Sequence, residues 1–323
     1  MNNTVSALPQ VAVLMATYNG EKFIKQQVDS ILQQKNVQVS LFVRDDHSTD
    51  NTVAIIQSYK NAGARVCLMD QKPTQLKVTK NFFSMVKEIN LAEFDYIAYS
   101  DQDDIWLDNK LHAAITAIKQ NKASCYASNL LRGDADGNIV TTKSILSKIS
   151  QYLLNYKSNN QKAWDYYFEA ASAGCTLVLN KEAAAYFQKR LYDIYENIPA
   201  DASHDWSTYA ITKIGGFNWY IDNHAYIIYR QHSANAYGVN NGMKGISKLV
   251  ELFTSGWYRR HILLIDALYN NTDNHPAFMN NLHHYQPTSI TGRFQLAFAI
   301  SGHRRKPVHR ILLFGLIIFG YFR

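Results

Sequence analysis

Tyr99-Ser100-Asp101-Gln102-Asp103-Asp104-Ile105-Trp106 decides how this chain is read. The residues up to Tyr99 form a short apolar run, Tyr96-Ile97-Ala98-Tyr99, that predicts a buried strand, and a helical pattern begins near Leu107. Three carboxylates in four positions at a strand end raise one another's pKa. A divalent cation held by oxygen ligands offsets that repulsion. The plainer alternative is a polar turn whose acids serve the next helix. If the extended conformation persists, Asp101 and Asp103 share one side while Gln102 and Asp104 take the other. The first pair is then placed to share a metal.

On either side, Val11 to Asn129 alternates strand-like apolar runs with amphipathic helical ones. Strands are predicted over Val11–Tyr18, Leu41–Arg44, Ala64–Met69, Tyr96–Ser100 and Cys125–Ser128. Helices are predicted over Glu21–Gln34, from a Ser48 or Asp50 N-cap to about Asn61, over Val78–Glu88 and over Leu107–Asn121. Such alternation predicts an α/β fold with a mostly parallel central sheet covered by helices. Ligands of these sheets lie beyond the carboxyl ends of the strands. The polar clusters fall there: Thr17-Tyr18-Asn19-Gly20, Asp45-Asp46 and Asp101 to Asp104, with Lys80-Asn81 in the first turns of a helix. Each alone is ordinary turn chemistry; together on one rim they make a site. No Gly-x-Gly-x-x-Gly and no phosphate-binding Gly-x-x-x-x-Gly-Lys-Ser/Thr run is present. A nucleotide here is held by carboxylates, a metal and side-chain amides.

The 323 residues are 47% hydrophobic and 18% charged, a globular composition. Met1 to Gln10 lacks a basic region leading into an apolar one, so no secretory signal is read. Cys67, Cys125 and Cys175 read as buried thiols of a reducing compartment. The net charge of +7 is concentrated in the tail. No acid follows Asp273, whereas Arg293, Arg304, Arg305, Lys306, Arg310 and Arg323 do, leaving 27 basic against 26 acidic residues before them. The basic residues are not spread along the rim, which disfavours nucleic acid as a partner.

Six pieces in order carry a resemblance: Thr17-Tyr18-Asn19-Gly20, Arg44-Asp45-Asp46-His47-Ser48-Thr49-Asp50, Lys80-Asn81-Phe82, Ser100 to Trp106, His204-Asp205-Trp206 and Tyr229-Arg230-Gln231-His232. From Val11 to about Gly238 the chain resembles a family 2 glycosyltransferase of GT-A fold, in the bacterial rhamnosyltransferase-like branch. That resemblance implies a Rossmann-like nucleotide-sugar-binding domain over residues 1–240; beyond it, the pattern of the tail is expected to give a C-terminal helical, membrane-associating region over 241–323. It implies that Thr17, Tyr18 and Asp45 line the base pocket, Asp45 accepting from the base, and that Asn19 binds the nucleotide sugar. Asp101 and Gln102 sit by the nucleotide sugar, and Lys80 faces the nucleotide. Asp103, with Asp101 and His232, ligates Mg2+ or Mn2+, and Asp205 is the general base. Asp104, Trp106, Gly174, His204, Trp206 and Arg230 fall on the acceptor or donor-sugar side. Two departures stand out: His47 replaces a common glycine, and Gln71-Lys72-Pro73-Thr74-Gln75-Leu76 carries no glycine before Lys80.

Sugar transfer from a nucleoside diphosphate needs charge neutralised on the leaving diphosphate and a proton taken from an acceptor hydroxyl. His204 and Asp205 compete for the second task, since an imidazole of pKa about 6.5 suits neutral pH better than an aspartate near about 3.9. The resemblance favours Asp205. His232 and Arg230 each have a structural alternative, a hydrogen bond or a pairing with a nearby acid. Ala173-Gly174-Cys175 is expected to open a strand that passes close to a ligand. Beyond Asn240 the period is helical over Met243–Tyr269, Ser289–Ile300 and Val308–Phe322. The apolar run Ile311 to Phe319 is shorter than the roughly 17–25 residues that span a bilayer. With Arg304-Arg305-Lys306 and Arg310 beside it, it suits an interfacial anchor on an anionic inner leaflet; packing on the protein's own core is the alternative.

The expected function is a cytoplasmic, membrane-peripheral, inverting glycosyltransferase. The branch it resembles implies dTDP-L-rhamnose as donor, with a UDP-hexose second, and a lipid-linked glycan of O-antigen or capsule type as acceptor. The competing readings are a non-catalytic nucleotide-sugar or glycan-binding module, and a phosphate-transferring enzyme with Asp101 as nucleophile. The latter would carry its acid after the first strand, and here it follows the fourth.

Overall fold

The structure, a computed structural model, describes residues 7–140, 161–199, 201–232, 250–267, 279 and 289–322. In chain order the strands are β1 (Gln10–Thr17), β2 (Gln38–Asp45), β3 (Val66–Leu68), β4 (Tyr96–Ser100), β5 (Ile105–Trp106), β6 (Cys125–Gly133), β7 (Val178–Asn180) and β8 (Trp219–Arg230). The helices are α1 (Ile24–Leu32), α2 (Thr52–Asn61), α3 (Lys77–Glu88), α4 (Lys110–Gln120), α5 (Lys181–Ile194), α6 (His204–Ile214), α7 (Trp257–Ala267), α8 (Ile290–Ser301) and α9 (Pro307–Ile318). They fall into two compact units. The first is Met1–Thr141, Ala171–Thr208 and Gly215–Gln231; the second gathers Thr142–Ala170, Tyr209–Ile214 and His232–Arg323.

The first unit is built on a sheet of order β3-β2-β1-β4-β7-β6-β8-β5. Pairs β1–β2, β1–β4, β2–β3 and β6–β8 are parallel, while β7 and β5 run against their neighbours. The expected α/β architecture with a mostly parallel sheet is therefore present. Val11, Val13 and Met15 of β1, Leu41 and Val43 of β2 and Ala98 of β4 pack against Ile24, Val28 and Ile31 of α1. Truncating one of these large aliphatics to alanine would cost about 2–5 kcal/mol. Register then places the rim: Thr17 lies opposite Asp45, and Met15 opposite Ser100. The carboxyl ends of β1, β2 and β4 come side by side because parallel pairing leaves them no other arrangement.

Several boundaries differ from expectation. The N-cap of α2 is Asn51, and Asp50 accepts the Thr52 N–H at 3.0 Å from one position before it. Ser48 turns back to Asp45 and caps nothing. Helix α4 begins at Lys110, because Ile105–Trp106 form β5 against Ile228 and Ile227. Ala173-Gly174-Cys175 opens a short 3-10 turn, Gly174–Thr176, with the strand starting later at Val178.

In the second unit, part of the expected helix Met243–Tyr269 lies outside the described residues. Within them, Gly256 adopts φ +71°, and the chain restarts as α7. Helix α9 ends at Ile318, before Gly320 at φ +76°. Arg304 and Arg305, expected to face a lipid surface, are buried. Arg305 pairs with Glu169 at 3.2 Å and Asp165 at 3.6 Å, and Arg304 donates to the Tyr258 hydroxyl at 2.7 Å and to the Phe168 carbonyl. Two of the tail's six positive charges are thus consumed internally. Among the described residues no helix is long and apolar enough to cross a membrane.

Candidate active site

The rim loops are sewn together by side chains the sequence singled out. Asp45 is buried, and both of its oxygens are engaged. Oδ1 accepts from the Thr17 hydroxyl at 3.0 Å and the Ser48 hydroxyl at 2.5 Å; Oδ2 accepts from the Ser48 N–H and the Gln71 amide, both at 2.8 Å. Asn19 sits at φ +48° and accepts the Thr49 N–H at 2.8 Å, while its own N–H goes to the Ser48 hydroxyl at 2.7 Å. His47 takes φ +69°, the left-handed conformation that makes glycine common there, and its Nε2 lies 2.9 Å from the Lys72 carbonyl. That contact ties the 70s loop to the rim in place of the missing glycine turn. Asp46 accepts the Leu76 and Lys77 N–H groups at 2.7 and 2.8 Å from the same loop.

Gln102 clamps the end of β1. Its Oε1 accepts the Tyr18 N–H, and its Nε2 donates to the Tyr18 carbonyl, both at 2.9 Å. A Cβ on Gly20 would land on this amide, so the Asn-Gly turn is fixed by packing as well as by backbone angle. The Tyr18 ring is half exposed. With one donor and one acceptor on the Tyr18 backbone, the Gln102 amide holds the acid motif to the base-side loop.

The chain bends directly after Ser100, so the strand alternation expected for Asp101 and Asp103 does not hold. It is Asp101 and Asp104 that converge, with Cys175 as third member, their ligand atoms all within 4.8 Å of one another. Ser100 is held by Gln27 of α1 at 2.7 Å, which fixes the start of the bend. Burial, then the charges of Asp103 and Asp205, push the Asp101 carboxyl up to about 7. Burial pushes Asp104 up as well, with Asp101 and Asp103 adding to it. Asp104 has no solvent exposure and no well-formed hydrogen bond on either oxygen. Burial also raises the Cys175 thiol, next to Asp104 and Asp101.

Two cations face these acids. Lys110 is buried with its ammonium 3.5 Å from the Trp106 ring, and burial pulls it down to about 7 against the opposing pull of Cys175 and Asp104. Arg230 is buried, donates to Gln26, stacks on Phe23 at 4.8 Å and feels Asp103, Asp104, Asp134 and Asp136. Against Asp101, Asp103, Asp104 and Asp205 the two cations leave negative charge in excess. A set of hard carboxylate oxygens with a fully buried, unsatisfied member fits a divalent cation such as Mg2+ or Mn2+.

Asp205 reaches this cluster through helix packing. The His204 ring stacks on Phe82 at 4.5 Å and meets Tyr99 edge-on at 5.8 Å, and the Thr208 hydroxyl lies 3.3 Å from that of Tyr99. The start of α6 is thereby seated on β4, two residues before Asp101. Asp205 accepts the Trp206 N–H at 2.7 Å and the Ser203 hydroxyl, an arrangement that both starts the helix and orients the carboxylate. His204 is enclosed: a Cβ on Gly174 would land on its Nε2, and burial holds its pKa below the ordinary value. Gly174 is thus a close approach to an imidazole.

Other expected contacts stand elsewhere. Trp106 and Trp206 are buried wall residues with no exposed ring face to offer a sugar. Asp104 and Arg230 are enclosed behind the motif and support it from within. The Lys80 ammonium lies over Tyr195 at 5.5 Å. His232 is two residues past β8, at the start of the last segment assigned to the second unit. Sequence reasoning missed Lys110 and Gln71 altogether and took Cys175 for a plain buried thiol. Only the pairing of remote segments shows them, although a lysine one turn past Trp106 was a visible clue.

Residues 12–184 match the family described as Glycosyl transferase family 2. The chain belongs to that family. A dTDP-rhamnosyl transferase of Shigella flexneri, RfbG, is 33% identical over 312 residues, covering 95% of this chain and all of that one. A UDP-Glc:alpha-D-GlcNAc-diphosphoundecaprenol beta-1,3-glucosyltransferase of Escherichia coli, WfgD, is 27% identical over 144 residues, 43% of this chain and 49% of that one. Among solved structures, S. aureus TarS 1-349 in complex with UDP aligns with TM-score 0.55 at 14% identity, over 97% of this chain and 89% of that chain. The mannosyltransferase PcManGT of Pyrobaculum calidifontis, in complex with GDP-Man and Mn2+, aligns with TM-score 0.52 at 13% identity, over 97% and 88%. The protein is a glycosyltransferase of GT-A-like fold, a rhamnosyltransferase-like member of its family.

Proposed function

We propose that this enzyme is an inverting, metal-dependent glycosyltransferase that moves L-rhamnose from dTDP-L-rhamnose onto a lipid-linked surface-polysaccharide acceptor at the cytoplasmic face of the inner membrane. The observation that carries the reading is the convergence of Asp205 on Asp101 and Asp103, a lone carboxylate beside an acid cluster in negative excess. The full-length likeness to a protein described as a dTDP-rhamnosyl transferase supports the donor. A UDP-hexose is the second reading, favoured by the WfgD likeness. Residues 1–240 form the catalytic part and 241–323 the membrane-associating one.

In this mechanism Thr17, Tyr18, Asn19 and Asp45 receive the base. For Asp45 to accept from it, Gln71 releases the carboxylate, since every acceptor position is otherwise engaged. Asp103, with Asp101 and His232, would hold Mg2+ or Mn2+, and the ion would supply charge neutralisation on the departing diphosphate. Asp104, Lys110 and Arg230 set the potential behind that group, and Lys80 faces the nucleotide. Asp205 accepts the proton of the acceptor hydroxyl as its oxygen bonds to the anomeric carbon, and the pair from the broken C–O bond leaves with the diphosphate. Fixing the carboxylate through Ser203 and the Trp206 N–H lowers the entropic cost of that encounter. His204 and Gly174 hold the wall behind the base.

The test is donor turnover screened across nucleotide sugars, with and without Mn2+, for the wild type and Asp205→Asn. The variant is expected to bind donor normally and to lose transfer by about 10²–10⁴-fold. Unchanged transfer in Asp205→Asn removes the base assignment. Donor binding with no turnover of any sugar by the wild type makes the protein a binding module.

A further inference from the structure

Helices α8 and α9 leave apolar side chains uncovered at regular spacing. On α8 these are Ile290 (69% exposed), Phe294 and Phe298 (72%), at i, i+4 and i+8, a single stripe. On α9 they are Val308, Ile311 (75% exposed) and Phe319 just past its end, at helical spacing on one side. The two helices pack together, with Phe298 edge-on to Phe314 at 5.0 Å. Scattered exposed apolar residues need no account, but two aligned stripes on a packed helix pair do.

The charges around the stripes have one sign. No Asp or Glu follows Asp273, so α8, α9 and their connection carry only positive charge. Arg305 is paired with Glu169 and Asp165, and Arg304 is buried on the Phe168 carbonyl and the Tyr258 hydroxyl, so neither presents its charge at the surface. Arg310 keeps its charge, because it donates to the carbonyls of Arg304 and Arg305 and not to a carboxylate. Each helix has 12 residues, about 18 Å at 1.5 Å per residue, too short to cross a bilayer of about 30 Å. A second copy seated on this face would oppose like charge with like charge. An anionic lipid surface supplies the complementary sign and an apolar layer at the right depth.

We infer that the α8–α9 face lies in the headgroup–acyl boundary of an anionic membrane, with Ile290, Phe294, Phe298, Ile311 and Phe319 immersed and Arg310 at headgroup level. This rests on the reading of the enzyme as membrane-peripheral and goes further in naming the surface: a helix pair rather than the terminal helix, without the Arg304-Arg305 charges. Flotation of the full chain with phosphatidylglycerol-containing vesicles, and with phosphatidylcholine vesicles, tests it. The wild type is expected to float with the former and release at high salt. Ile290→Glu/Ile311→Glu, one change on each helix, is expected to bind about tenfold or more weakly, with donor hydrolysis and melting temperature unchanged because both side chains are exposed. Wild-type protein that floats with neither vesicle overturns both the surface and the membrane-peripheral reading. Equal flotation of the variant overturns the surface alone. A wild-type dimer that the variant dissociates overturns it in favour of a second copy.

Discussion

Two buried acid clusters in this protein are treated in opposite ways. In the second unit Asp165 and Glu169 are closed off: Arg305 pairs with both, the Tyr209 hydroxyl donates to Asp165 at 2.7 Å, and the Arg305 N–H donates to Glu169 at 2.5 Å. In the first unit Asp101 and Asp104 lie with Cys175, and Asp104 keeps two unsatisfied oxygens. A fold that can enclose a carboxylate with guanidinium has instead left one group short of positive charge. Buried ionic groups are tolerated when paired and costly when not, so the open cluster is where an external cation has most to offer. The difference separates a structural cluster from a candidate site without reference to any relative.

The largest test of that contrast is Arg305→Ala. Removing the cation strands two buried carboxylates and is expected to destabilise the second unit by about 3–5 kcal/mol, read by thermal or denaturant unfolding. A loss near zero would mean the second cluster is not closed by Arg305. Asp104→Asn is the counterpart in the first unit. Taking charge from a cluster already in excess is expected to raise the melting temperature of metal-free protein by roughly 2–4 °C and to shrink the stabilisation given by added Mn2+. A clear drop instead would show that Lys110 and Arg230 already satisfy Asp104.

The third test reads the sign of the pH dependence. Asp101 is raised from 3.8 to about 7 in the folded protein, so its contribution is complete below 3.8 and is lost as pH climbs toward 7. His261, enclosed in the second unit and stacked on Trp257, is lowered by burial from 6.5 to about 3. Its contribution is complete above 6.5 and is lost as pH falls toward 3. Hydrogen exchange of peptides from each unit, corrected for intrinsic rates, is expected to show the first unit of metal-free protein loosening on alkalinisation and the second on acidification. The same sign in both units would remove the contrast.

Much of the first unit was legible because its strands are uninterrupted apolar runs and its rim is written in Asp, Asn and Thr at their ends. The side-chain pairings were not. Alternation failed to place Asp101 with Asp104 because the chain bends after Ser100, and periodicity cannot see a bend. Lys110 and Cys175 meet Asp104 only through tertiary folding. The tail misled for the same reason. Arg304-Arg305-Lys306 looks solvated in a segment without acids, yet the carboxylate accepting from the Arg305 N–H lies 136 positions earlier.

The motif Asp101 to Asp104 is an arch with both feet planted, one in β4 and the other in β5 against β8. Adding or deleting a single residue between them would turn Ile105 and Trp106 over, expelling a buried indole from its seat. The count of residues separating those acids is therefore constrained by carpentry as well as by chemistry, and a frame-preserving change in its length would injure folding before it altered any reaction.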